Sequence, residues 1–308
     1  MATSTISAPA TQVNFSSLRP SFIGIVRGEL LKVSRQWITW IMGAMLAGVI
    51  FLPYLVTFTN DSLKQRIAAY PLQFMYRVMG IDLLVLRAFS GIVLIIITSR
   101  LIGMEYSGGT IRILLSRGVG RLQLLGAKLL TVSLVALAIL IAGLAVNVIF
   151  TSGGLLLLTG NLDAFKALNS GFWQDTWLYI VTVMISMAVT ILMATAVTVL
   201  GRSLAFGMSA SLVWFPIDNI GVIFFFLGFR LTGSTFWTLA TGDLLGPNLN
   251  AMADILLPMR AHEAMVGSAF SSPLVPVTGG HTLLITAIYA AIFIVVSVGL
   301  TWKRDVKE

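Results

Sequence analysis

The sequence contains no cysteine and has two histidines, His262 and His281. Without cysteine the chain has no disulfides, no thiol catalysis and no cysteine-based metal site, and two histidines are too few to predict a histidine-rich one. Charged residues are also scarce, at 10% of the chain against about 25% in soluble proteins. So few charges cannot cover a water-facing surface, which excludes an ordinary soluble fold. We assign no catalytic and no metal-binding residue.

Long apolar runs take the place of the missing charges. Hydrophobic residues make up 57% of the chain, and the mean hydropathy is +0.95. About 20 consecutive apolar residues are needed to cross the hydrocarbon layer as a helix, and the sequence has six such runs. The fold class predicted is therefore an all-α membrane protein with six transmembrane helices. The predicted spans are at about 37–58, 83–102, 124–150, 176–200, 203–227 and 282–302.

Lysine and arginine are distributed unevenly among the segments that connect these runs. With the amino terminus in the cytoplasm, the inner segments hold thirteen of them and the outer segments hold seven, and seven acidic residues offset the outer set. An excess of basic residues on one side is typical of the cytoplasmic face. Both termini are therefore predicted to be cytoplasmic, in a multi-pass protein of the plasma (inner) membrane. The net charge of +8 needs no nucleic acid partner.

A short helix is predicted before the first span. Residues 1–20 are rich in Ser, Thr, Ala and Pro, and we expect a disordered cytoplasmic tail there. Over 21–36 the apolar residues share one side of a helical wheel, which is typical of an amphipathic interfacial helix on the inner leaflet. A helical lead-in to the first span fits the same pattern. The transmembrane domain then covers 37–302, and 303–308 is a second cytoplasmic tail.

Three features of the outer half are unusual. In the fifth run Pro216 removes a backbone hydrogen bond, and with the polar residues that follow it predicts a kink or break there. Asp218 and Asn219 follow it, as candidates for a gate or substrate path or as a satisfied polar contact near the outer end. Arg87, one turn into the second run, is expected to snorkel to the outer headgroups. The long outer loop 229–281 has apolar stretches too short to span, which predicts re-entrant or surface-lying helices.

The most patterned segment lies on the inner side, between the second and third runs. A glycine pair ending at Gly109 allows unusual backbone angles, and Thr110 can cap the helix that follows. About two amphipathic turns lead to Arg117, and glycines end the helix. A short helix with apolar residues among basic ones is suited to docking in a groove on a soluble partner.

Glu105, Gly109-Thr110, Leu114-Leu115-Ser116, Arg121 and Lys128 follow one another in this segment. With the six-span topology, the amphipathic lead-in and the outer re-entrant region, this order resembles type-2 ABC transporter permeases, the six-helix membrane subunits of ABC exporters. The resemblance implies that 105–117 is a coupling helix that contacts an ATPase. The contact residues it implies are Glu105, Gly109, Thr110, Ile111, Arg112, Leu114, Leu115, Arg117 and Arg121.

The resemblance also implies partners. Such permeases work as dimers, so we expect a second copy or a homologue, with two ABC ATPase subunits bound beneath. The sequence has no Gly-x-x-x-x-Gly-Lys-Ser/Thr phosphate loop. ATP and Mg are therefore expected on the partner chain, no cofactor on this one, and the chain is a transport subunit without enzymatic activity of its own. Its many Met and Phe residues suggest a hydrophobic or amphipathic substrate, such as a drug, lipid or peptide.

Other interpretations start from the same residues. The basic residues of the inner segment also fit plain positive-inside charges. An ion- or proton-coupled secondary transporter needs ionisable groups in several spans, and Asp218 is the one acceptable candidate. A membrane-embedded enzyme needs clustered acids, histidines or an activated nucleophile at one depth, and the runs offer Ser and Thr without such partners.

Overall fold

The computed structural model describes residues 21–58, 62–258, 261 and 272–303. The predicted tail 1–20 and residues 304–308 of the second tail lie outside these ranges. The regular elements within them are all helices. They are α1 (Phe22–Arg35), α2 (Trp37–Phe58), α3 (Ser62–Ala69), α4 (Pro71–Ser107), α5 (Thr110–Ser116), α6 (Arg121–Thr159), a 3-10 helix at Asp163–Ala167, α7 (Ser170–Gly201), α8 (Leu204–Ile220), α9 (Val222–Thr232), α10 (Phe236–Ala240), a 3-10 turn at Thr241–Asp243, α11 (Leu245–Leu256) and α12 (Gly279–Lys303).

Within the residues that the structure describes, five helices are long and apolar enough to cross a membrane, namely α2, α4, α6, α7 and α12. A sixth span results if α8 and α9, which meet at an angle of 52°, are counted together. α4 has 37 residues and α6 has 39, so they extend about 55 and 58 Å at 1.5 Å per residue. Both exceed the predicted spans 83–102 and 124–150, because an apolar run marks only the part of a helix that lies in hydrocarbon.

The core lies along α4 and α7, whose apolar stretches are the most buried among the five long helices. Leu86 and Leu94 of α4, Val132 of α6 and Val183 of α7 belong to its main cluster and are fully enclosed. α2 and α12 lie at the periphery and keep large apolar side chains on their outer faces. Apolar side chains turned outward are what a lipid environment requires.

The fifth predicted span bends at a different place from the one expected. Pro216 lies inside α8, and the chain bends at Gly221, between α8 and α9. The helix continues for one turn beyond the proline, and there the side-chain amide of Asn219 donates to the carbonyl oxygen of Phe215 at 2.8 Å. The fifth span is therefore broken as predicted, but the bend lies at Gly221, just after the predicted residues Pro216, Asp218 and Asn219.

α11 is the buried part of the long loop. Residues 245–253 are all buried, and the helix packs against α7, α8 and α12. A Cβ atom added at Gly246 would lie 2.3 Å from the carbonyl oxygen of Asp218, so the backbones of α11 and α8 are in direct contact there. Twelve residues are too few to cross a bilayer, so α11 enters the bundle without crossing it.

Arg87 joins α11 to the core. Its guanidinium donates to the Leu249 carbonyl oxygen at 2.8 Å and to Asn250 Oδ1 at 2.7 Å. The Asn250 amide in turn donates to the Asn219 carbonyl oxygen at 3.1 Å. Arg87 is buried, so its predicted snorkelling to the outer headgroups is wrong. The carbonyl and amide oxygens of α11 replace water around its charge.

Candidate functional site

α5 is a short exposed helix that connects the long helices α4 and α6. Gly109 before it has φ 65° and Gly118 after it has φ 82°, both in the left-handed region that favours glycine. No atom lies within 4 Å of a Cβ built at either position, so conformation and not crowding requires glycine there. Thr110 is the first residue of the helix, and Gly109 occupies the cap position.

The seven residues of α5 all remain at least partly exposed. Ile113 is 53% exposed, and Arg112 and Arg117 are exposed beside it. Ile111, Leu114 and Leu115 are half-buried, and α5 packs against α4. The outward surface of α5 therefore presents one large apolar side chain between two arginines.

The exposed helix α5 is shorter than the predicted coupling helix 105–117. Residues 105–107 continue α4, and α5 begins at Thr110. Glu105 is buried, at 7% exposure, so its carboxylate lies beneath the exposed surface and not on it. Arg121 is the first residue of α6, half-buried, and donates to the Trp302 carbonyl oxygen at 3.5 Å.

Four charged residues, Glu29, Lys32, Glu105 and Lys128, form a network below α5, which we call the charge network. The Lys128 ammonium lies 3.0 Å from the Glu29 carboxylate and 2.9 Å from that of Glu105. The Lys32 ammonium lies 2.6 Å from Glu29 and 3.0 Å from Glu105. Two carboxylates and two ammonium groups sum to zero charge. The network thus ties α1 to α4 and α6.

The environment of the two lysines differs. Lys128 is buried and donates a further hydrogen bond to the Leu101 carbonyl oxygen at 2.8 Å. Lys32 is half exposed. Partial burial alone would lower the pKa of Lys32, but the hydrogen bonds to Glu29 and Glu105 and the attraction of the two carboxylates outweigh it, and the pKa is raised above its ordinary value of 10.5. The Lys32 ammonium therefore stays charged at neutral pH.

α1 is packed against protein on one side. Val26, Glu29 and Val33 are buried, and the helix contacts α6. Ile23, from the predicted apolar side, is 76% exposed. α6 therefore covers only part of the predicted apolar side of α1, and the rest of that side stays exposed.

The candidate gate residues lie far from the charge network. Pro216 is exposed, and Asp218 and Asn219 are half-buried at the end of α8. The backbone N–H of Gly246 donates to the Asp218 carboxyl group, as in the satisfied polar contact that the sequence left open. Arg87, which joins α11 to this region, precedes Glu105 by 18 residues on α4, or about 27 Å along the helix.

Sequence reasoning did not find Glu29, Lys32 or Arg87 as functional candidates. The sequence did contain a signal for an ion pair that involves Glu29. Glu29 is the single acidic residue within 19–36 and Glu105 the single one within 100–128, and both segments are otherwise basic. An isolated acid among lysines and arginines in a membrane protein predicts an ion pair. Arg87 offered no comparable local signal.

The family described as "ABC-2 family transporter protein" matches residues 25–218. The match includes α1 from residue 25 onward, all of α5 and the four residues of the charge network. A search of curated proteins finds no match.

Proposed function

The chain belongs to the ABC-2 family of transporter proteins, and from that membership we propose that it is the permease subunit of an ABC exporter. In this proposal it moves a hydrophobic or amphipathic substrate, such as a drug, lipid or peptide, out of the cytoplasm. A separate ATPase subunit binds ATP and Mg and drives the movement. The observation that carries the proposal is the exposed helix α5, held between the ends of two long helices.

α5 is suited to be the contact with the ATPase. Ile113 with the flanking Arg112 and Arg117 offers an apolar side chain for a pocket and two guanidiniums for acidic residues around it. Large side chains in the centre of a contact with a charged rim are typical of protein interfaces. Glu105 is buried, so we assign it to the charge network instead of the contact surface.

The charge network could transmit a movement of α5 to α1, α4 and α6, because its ion pairs connect these three helices. Glu105 lies at the end of α4, Lys128 near the start of α6 and Glu29 in α1. A force that moves α5 acts on the ends of α4 and α6, and the buried ion pairs make α1 follow. A two-state bundle biased by the nucleotide state of the ATPase would then alternate its access.

The assembly and its location are part of the same proposal. A second copy or a homologue and two ATPase subunits complete the transporter in the plasma (inner) membrane. Both termini and α5 lie in the cytoplasm. The uneven distribution of lysine and arginine supports this orientation.

Substitution of Ile113 tests the contact. Ile113→Asp should reduce recovery of the ATPase subunit with the affinity-tagged chain by about tenfold or more, since truncation of a central interface residue costs 2 kcal/mol or more. The readouts are the amount of ATPase subunit in the purified complex and its substrate-stimulated ATP hydrolysis. Ile113→Leu keeps the apolar volume and should leave both unchanged.

The proposal fails if Ile113→Asp purifies with a full complement of ATPase and normal hydrolysis. It also fails if the tagged parent chain, extracted in mild detergent, carries no ATP-hydrolysing subunit. Because Ile113 is exposed, the aspartate is solvated, and the folding of the variant can be checked by its thermal midpoint.

A further inference from the structure

A cavity of about 240 Å³ lies between α4, α6 and α7, in the half of the bundle away from α5. Its walls are largely apolar, with Met75, Met79, Phe165 and Phe172 among them. The volume is just below the range of about 300–1,000 Å³ that is typical of sites for drug-sized ligands. The cavity is therefore large enough for a small apolar ligand.

The cavity reaches the outer surface of the bundle. Val148 of α6 and Trp173 of α7 line it and are each 59% exposed. Since the outer surface of α6 and α7 faces lipid in a membrane, a ligand dissolved in the bilayer can reach the cavity from the side. Methionine walls adapt to ligands of different shape.

The carboxyl group of Asp82 lines the cavity. Asp82 is 5% exposed and accepts a hydrogen bond from the Tyr54 hydroxyl. Among the residues that the structure describes, no lysine, arginine or histidine forms an ion pair with Asp82. A buried charge is costly unless a partner compensates it, so a cation in the cavity would be stabilised here.

Two further polar groups of α6 line the same cavity. Asn147 and Thr151 are four residues apart and so share one face of α6. Both polar atoms of the Asn147 side chain are buried without a hydrogen-bond partner within the described part of the chain. The Thr151 hydroxyl lies 3.0 Å from that of Tyr54. A primary ammonium group has three donors, which a carboxylate, an amide oxygen and a hydroxyl can accept.

We propose that this cavity binds a small hydrophobic amine in its cationic form, with the ammonium group at Asp82 and Asn147 and the apolar body among Met75, Met79 and Phe172. The ammonium group pairs with the Asp82 carboxylate and donates a hydrogen bond to the side-chain oxygen of Asn147. Such a ligand is either carried by the protein or acts on it from within the membrane. Binding to this chain alone is independent of any ATPase, so the proposal stands or fails apart from the function proposed above.

Equilibrium binding of octylamine tests the proposal. The full chain in lipid nanodiscs is titrated with radiolabelled octylamine and, separately, with octanol of the same chain length. Asp82→Asn keeps the shape and the bond from Tyr54 but removes the charge. It should weaken octylamine binding by about tenfold or more, as expected for a charge-assisted hydrogen bond, and change octanol binding by less than about twofold.

A matched control is available on α7. Asp175 is equally buried and accepts from the Tyr76 hydroxyl at 2.6 Å, but it does not line the cavity. Asp175→Asn should leave octylamine binding unchanged. Asn147→Leu, which removes an unpartnered amide at similar volume, should fold normally and weaken octylamine binding. Equal octylamine affinity in the parent, Asp82→Asn and Asn147→Leu proteins overturns the proposal, as does an equal loss in Asp175→Asn.

Discussion

Lys128 links α6 to both α1 and α4. Its ammonium is buried and shared between Glu29 and Glu105. A buried ion pair adds little net stability compared with apolar residues, but removal of one partner leaves an unpaired charge behind. Lys128 therefore matters for stability mainly because its removal would leave a buried carboxylate without its cation.

Lys128→Met should lower the free energy of unfolding by about 3–5 kcal/mol, because Glu29 and Glu105 lose one of the two cations that they share and one buried charge stays unpaired. Adding Glu29→Gln to this variant should recover part of the loss, since one unpaired charge disappears. Unfolding in mixed detergent micelles gives the free energies for the double-mutant cycle.

An exposed ion pair provides the comparison. Lys166 and Asp163 are 2.6 Å apart, and both side chains are mostly exposed. Lys166→Met should give no measurable change, because water screens the pair. Similar losses for Lys128→Met and Lys166→Met would contradict the role assigned to the charge network.

At the scale of elements, α11 owes its position to polar contacts as well as apolar packing. Arg87 donates to two oxygens of α11, and Asn250 extends the connection to α8. The helix thus sits among α7, α8 and α12 with its carbonyl and amide oxygens held by one guanidinium.

Arg87→Met should loosen α11 while leaving the other helices in place. Hydrogen bonds to charged groups contribute about 1.5–3 kcal/mol each, so amide hydrogen exchange over residues 245–256 should accelerate by about tenfold or more. Arg77→Met, an exposed site on the same helix α4, should leave this exchange rate unchanged. Unchanged protection of α11 in Arg87→Met would show that apolar packing alone holds it.

The whole molecule has two chemically different ends. One end carries α1, α5, the end of α4 and the start of α6. The other end carries α3, α10, the 3-10 helix at Asp163–Ala167 and the start of α11. The first end is the one we place in the cytoplasm.

The absence of cysteine allows a direct test of this orientation. Ser116→Cys in α5 and Lys166→Cys at the opposite end each place one thiol at an exposed site in a cysteine-free chain. In intact cells a membrane-impermeant maleimide should label Lys166→Cys, and it should label Ser116→Cys only after the membrane is opened. The reverse pattern would place α5 outside and refute the proposed contact with a cytoplasmic ATPase.

Hydropathy predicted the places of the long helices, and glycines predicted the exposed turn at α5, because both signals are local. The partners of Glu29, Arg87 and Asp218 could not be predicted in the same way. Lys128 is 99 residues from Glu29, and Asn250 is 163 residues from Arg87. No local pattern distinguishes an arginine that reaches lipid headgroups from one that holds a helix returning much later in the chain.

The length of α4 has a mechanical consequence. With 83–102 in the hydrocarbon, the middle of the bilayer falls near Ile92, about 32 Å from Pro71 and about 23 Å from Ser107 along the helix. A rigid tilt about that point works as a lever with unequal arms. A push of about 2 Å beside α5 becomes about 3 Å at the far tip, so a small movement at the α5 end of α4 is amplified at its Pro71 end.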